Sequence, residues 1–102
     1  MNKAASCRDG YELTPGDVPG PGEFGAAGQF SNIQDTDECG KLCDDLNHCK
    51  SYEYSPIGKK CYLNRKWSPT AGVHKDYSFC ALTRELFIIT YLAELRHMQI
   101  LF

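Results

Sequence analysis

Polar and apolar residues alternate along this chain with a period that changes several times. After Cys39, apolar positions recur at Leu42, Cys43 and Leu46, the i, i+3, i+4, i+7 spacing of a helix with one inward face. The pattern predicts a helix over residues 35–47. Asp35 caps its first turn, Glu38 completes a capping-box-like pair, and Asp37 adds negative charge where the helix dipole favours it. Asn47 and His48 end it. From Cys49 to Ser55 the period drops to two: Cys49, Ser51, Glu53 and Ser55 alternate with Lys50, Tyr52 and Tyr54, which predicts a strand with its aromatics on one face. Ser55-Pro56-Ile57-Gly58 supplies a turn. Residues 60–64 return as a second strand, with Cys61 and Leu63 on one side and Tyr62 on the other, so that a hairpin packs on the helix.

The flanks read differently. A short strand around Tyr11 to Leu13 enters a stretch rich in Gly and Pro, Thr14-Pro15-Gly16-Asp17-Val18-Pro19-Gly20-Pro21-Gly22, with Gly25 and Gly28 beyond it. Such a stretch predicts an irregular loop without a helix. It is either a connector shaped by turn chemistry or part of a ligand rim anchored by Phe24 and Phe30. A further strand is expected near Asp76 to Leu82, around Tyr77, Phe79 and Cys80. From Thr83 to Phe102, Ile88, Tyr91, Leu95, Met98 and Phe102 recur at helical spacing, with Thr90, Glu94 and His97 on a narrower polar side. Phe87, Ile89, Leu92, Ile100 and Leu101 exceed a single stripe, so this amphipathic helix needs its own domain, a partner or a membrane surface to cover it.

Composition narrows the class. The chain has 102 residues, 42% hydrophobic and 24% charged, an ordinary globular mix for one domain. A domain of this size buries roughly 60 to 65% of its unfolded surface, a thin core that cross-links would reinforce. Its six cysteines, at positions 7, 39, 43, 49, 61 and 80, fit three disulfides and an oxidising compartment, the cell exterior or a secretory lumen. Six cysteines allow about 15 pairings, so spacing alone leaves the connectivity open. A net charge of -2 gives no footprint for nucleic acid. No run of apolar residues is long enough for a membrane span. Met1 to Ser6 is too short for a signal peptide, so the chain reads as processed, recombinant or excised from something longer.

The cysteines also admit other chemistry. Cys39, Cys43, His48 and Cys49 are metal-capable types at close spacing, and four such ligands could hold zinc in a reducing compartment. That reading leaves Cys7, Cys61 and Cys80 unexplained. A nucleophilic cysteine lacks both a Cys-x-x-Cys motif and a histidine–acid pair to activate it. The expectation is therefore no enzyme, no metal and no cofactor.

Cys39-x3-Cys43 on a helix, Cys49 opening the strand Cys49-Lys50-Ser51-Tyr52-Glu53-Tyr54-Ser55, and Cys61 in Lys60-Cys61-Tyr62-Leu63-Asn64 resemble the PAN/Apple domain family. The resemblance spans about residues 7 to 80. It implies a small α+β fold, a curved antiparallel sheet with one packed helix, to which the sequence adds the C-terminal helix. It also implies the pairs Cys39 with Cys61, Cys43 with Cys49, and Cys7 with Cys80. Only the Cys43 and Cys49 pair is also easy to close on local geometry, across a short turn at the helix end. The expected division is a short segment at 1–6, a PAN/Apple-like domain at 7–82 and a helical extension at 83–102.

Three groups of side chains are candidate surfaces. Lys59, Lys60, Arg65 and Lys66, with Trp67 beside them and His74 and Lys75 farther on, form a basic set that could take a sulfated glycan, a ligand class the resemblance implies. Trp67, Tyr52, Tyr54, Tyr62 and Tyr77 could form an aromatic surface or pack internally. Asp35, Asp37, Glu38, Asp44 and Asp45 read as a solvated, capping face of the helix. The expected function is a non-catalytic extracellular recognition module for protein or carbohydrate. Its rival is a subunit of a larger extracellular or lumenal assembly, docking through Ile88, Tyr91, Leu95, Met98 and Phe102.

Overall fold

The computed structural model describes residues 6–20 and 24–83. Within them β1 (Tyr11–Thr14), β2 (Gln29–Phe30), β3 (Ser51–Ser55), β4 (Lys60–Asn64) and β5 (Ser78–Leu82) form one antiparallel sheet in the order β1-β5-β3-β4-β2. Helix α1 (Thr36–Asp45) packs over β3 and β4. The extension with Ile88, Tyr91, Leu95, Met98 and Phe102 lies outside the described residues.

Helix α1 begins where the sequence places it. The Asp35 carboxylate accepts the Glu38 amide at 2.9 Å, while Glu38 reaches back to the Gln34 amide at 3.3 Å rather than to the cap's own N–H. It ends at Asp45, two residues earlier than the apolar spacing suggests, because Leu46 is already extended. The early exit lets the chain turn so that Cys49 comes back to Cys43, with their Cα atoms 5.3 Å apart. The Gly-rich stretch departs further from expectation. It holds a short 3-10 turn at Gly25–Gly28, and β2 follows, pairing Gln29 with Tyr62 and Phe30 with Cys61. A strand of two residues is made by its neighbour β4 rather than by local preference, so no periodicity announces it.

Register divides the sheet into two faces. Tyr52 lies opposite Leu63 and Cys80, and Tyr54 opposite Cys61, so these side chains share the face covered by α1. There Tyr52, Tyr54, Leu63, Cys39, Cys43, Cys61 and Cys80 are all fully buried, with Tyr11 edge-on to Tyr52 at 5.0 Å. Close approach of the helix depends on Gly40, where a Cβ would sit 2.7 Å from the Arg8 Cβ and 2.9 Å from the Tyr52 ring.

Three disulfides fasten this face: Cys39–Cys61 joins α1 to β4, Cys43–Cys49 closes the helix exit, and Cys7–Cys80 ties the N-terminal segment to β5. Cys39, Cys43 and Cys49, the cysteines of the zinc alternative, thus sit in disulfides. The N-terminal segment is further clasped to the helix. Arg8 donates to Asp44 at 2.8 Å and to Asp37 at 3.0 Å, the Tyr11 hydroxyl donates to Asp44 at 2.6 Å, and Thr36 hydrogen-bonds the Ser6 carbonyl. Asp37 and Asp44, expected on a solvated helix back, are therefore partners of a neighbouring segment.

Candidate functional site

On the other face of β3 stand Ser51, Glu53 and Ser55, the positions that alternation assigns to a polar side. All three are buried, and Glu53 is only 3% exposed. The cover comes from two loops that pair with each other. Asp17 exchanges backbone hydrogen bonds with Ala71 at 3.1 and 2.9 Å and accepts one from the Thr70 amide at 2.9 Å. Gly16 makes this contact feasible: its φ is +134°, and a Cβ there would lie 2.3 Å from the Pro69 side chain. Val18 then packs with Phe79 and Ala81 in a second, smaller apolar cluster.

Between these loops and the strands opens a cleft of about 370 Å³. Glu53 forms its floor, held in place by the Val18 amide at 3.3 Å and the Asn64 side-chain amide at 3.1 Å, both donating to Oε1. Asn64 is itself fully buried, and its Oδ1 has no partner among the described residues. Asp17 lines the same cleft beside the Glu53 carboxyl. Burial first, and then this neighbouring acid, push the Glu53 carboxyl up to about 8.

Aromatic rings make the walls. Tyr62 projects from β4 beside Glu53, its register partner, and Tyr77 enters from the loop before β5. Their ring centroids are 5.8 Å apart, and the two hydroxyls hydrogen-bond. Burial, then that hydrogen bond, raises the Tyr77 phenol to about 12. His74 stands edge-on to Tyr77 at 5.1 Å, with its Nδ1 accepting the Asp76 amide at 3.2 Å. Among the described residues lining the cleft there is no lysine or arginine.

The residues singled out from sequence are distributed unevenly around this cleft. Of the aromatic set, Tyr62 and Tyr77 line it, whereas Tyr52 and Tyr54 are core residues on the opposite face. Tyr54 donates to the Ile33 carbonyl at 2.6 Å, and Tyr52 accepts the Arg8 amide at 2.8 Å. Phe24 and Phe30 pack against the main core rather than forming a rim. The basic set is split by the length of β4. Lys59 and Lys60 sit at the turn, with the Lys59 ammonium 3.5 Å from Gln34, whereas Arg65, Lys66 and Trp67 follow the strand's other end. Five residues of strand separate the groups by roughly 16 Å. Trp67 is 41% exposed, with Lys50 5.0 Å above its ring, and Arg65 lies 5.4 Å over Phe24. Asp17 and Glu53 carried no local signal, because what buries them is remote in sequence.

The family profile described as the PAN domain matches residues 11–83, from the first residue of β1 to one residue past β5. The chain belongs to the PAN domain family. No curated protein and no solved structure matches it. PAN domains are generally modules that bind protein or carbohydrate, and they are typically non-catalytic. In this PAN domain every described cysteine is in a disulfide, and no helix among the described residues is long and apolar enough to cross a membrane.

Proposed function

We propose that this PAN domain is a non-catalytic recognition module of the extracellular space or a secretory lumen, and that the Glu53-floored cleft is where it takes its ligand. The observation that carries this reading is the cleft's construction: polar and aromatic side chains from five separate segments converge on one concavity. Disulfides support the same reading, since a cross-linked frame loses little freedom on association and three bridges suit an oxidising compartment. The basic residues Lys59, Lys60, Arg65 and Lys66, with Trp67, are the competing surface, suited to a sulfated glycan. Their separation along β4 weakens the case for one anionic ligand bridging all of them.

The test is a glycan and protein array with the wild-type chain, Tyr77→Ala, and the pair Lys60→Ala and Arg65→Ala. Loss of the strongest binding in Tyr77→Ala alone supports the cleft; loss in the lysine–arginine variant alone moves the ligand to the basic ends. A second reading, docking of residues 83–102 into a larger assembly, is favoured by the apolar spacing from Ile88 to Phe102. Sedimentation of the full chain beside a version ending at Thr83 decides it, since only an assembly helix would make the full chain alone oligomerise.

A further inference from the structure

We propose that the cleft seats a primary ammonium group, the side chain of a lysine presented by a protein partner, between the Asp17–Glu53 carboxyl pair and the rings of Tyr62 and Tyr77. This rests on the reading of the cleft as the ligand site and names what enters it. The lining supports a cation: two carboxyl groups, those of Asp17 and Glu53, line the cleft, and no lysine or arginine among the described lining residues offsets them. Lys60 lies two residues from Tyr62 on the same side of β4 but opens on an adjoining depression with Phe30 and Ser31. His74 is the remaining titratable group at the mouth, exposed and turned edge-on to Tyr77.

Shape supports a slender ligand. The acceptor lies deep, with Glu53 only 3% exposed, so a ligand must reach past the rings to meet it. A lysyl stem offers methylenes to lie along Tyr62, Tyr77 and Pro19, and a cation close to aromatic faces gains from their quadrupoles.

Binding has a proton balance. In the empty cleft burial keeps a proton on Glu53; when the ammonium arrives with its own charge, that proton leaves to the buffer and the Glu53 carboxylate faces the cation. Affinity therefore rises with pH below the point where Glu53 ionises in the free protein, and each binding event releases up to one proton.

The full chain titrated with N-acetyl-lysine methylamide, followed by NMR of the tyrosine and histidine rings, tests this. Expected are saturable shifts of Tyr62, Tyr77 and His74, no response to the glutamine analogue, and affinity several-fold tighter at about pH 8 than at about pH 6. Calorimetry in two buffers of different ionisation heat should read the released proton. Asp17→Asn should weaken binding at least about ten-fold, and the wild-type pH and proton readouts stand even if that variant folds poorly. Glucosamine shifting these rings while the lysine probe does not would replace the lysyl side chain with an amino sugar and overturn the inference. A neutral sugar shifting them independently of Asp17 would overturn any ammonium ligand while leaving the cleft as the site. Ring signals that ignore every probe while an array ligand perturbs another surface would remove both readings.

Discussion

The two faces of the sheet are built on opposite terms. Beneath α1 the side chains are aromatic, aliphatic or sulfur, and all three disulfides fasten that layer or its edges. Across the same strands, one residue out of step, Ser51, Glu53 and Asn64 are equally buried but polar; Ser51 and Glu53 bond to a loop or a neighbouring side chain, and Asn64 donates to Glu53 while its Oδ1 has no partner among the described residues. Burial is therefore no guide to role in this domain. The helix face holds the chain in one shape, whereas the loop face keeps ionisable groups out of water, a costly arrangement that concentrates where ligands bind.

The contrast breaks most severely at the longest cross-link. Replacing Cys7 and Cys80 together by alanine removes a bridge between residues 73 apart and should cost about 4 kcal/mol in the chain-entropy account, against about 2 kcal/mol for the pair Cys43 and Cys49, six apart. Urea unfolding of the two variants measures the difference; equal losses would contradict the assignment. Adjacent residues of β4 sharpen the comparison next. Leu63→Ala on the helix face should cost about 3 kcal/mol, whereas Tyr62→Ala on the cleft side should cost about 1 kcal/mol or less and act mainly on binding.

A pH series addresses the polar face alone. The folded Glu53 carboxyl titrates at about 8, above the ordinary 4.5, so the folded protein keeps a proton that the unfolded chain releases. The stability this contributes is complete below the unfolded value and is lost as pH rises through that window, on the order of 2 kcal/mol. Thermal midpoints should fall from about pH 5 to about pH 8, and Glu53→Gln should flatten the fall; a variant with an undiminished slope would point to another group. A comparably small effect belongs to the helix cap, where Asp35→Ala should cost about 1 kcal/mol and leave the cleft's ligand affinity unchanged.

Legibility in the sequence follows the same division. Helix α1 and strands β3 and β4 were readable because cap, period and turn residues all act within a few positions, and their inward cysteines do lie on one face. The end of α1 was misplaced because its terminus answers to a bridge rather than to propensity. Strand β2 and the 3-10 turn escaped notice since they exist through pairing and packing against β4. Glu53 read as one step of an alternation; only the meeting of Asp17 with Ala71, 54 positions later, encloses it. Of the cysteine pairs, spacing made one easy to close, and the family likeness implied the rest.

Where the chain enters and leaves this domain has a mechanical consequence. The Thr83 amide bonds the Gly10 carbonyl at 2.9 Å, and Cys7, before Gly10 in the chain, is joined to Cys80, just before Thr83. Tension applied through neighbouring segments would thus run from one flank to the other across a single sulfur–sulfur link. The intervening polypeptide, recognition surface included, would hang beside the load path as a slack loop and keep its shape under forces that unravel uncrosslinked modules.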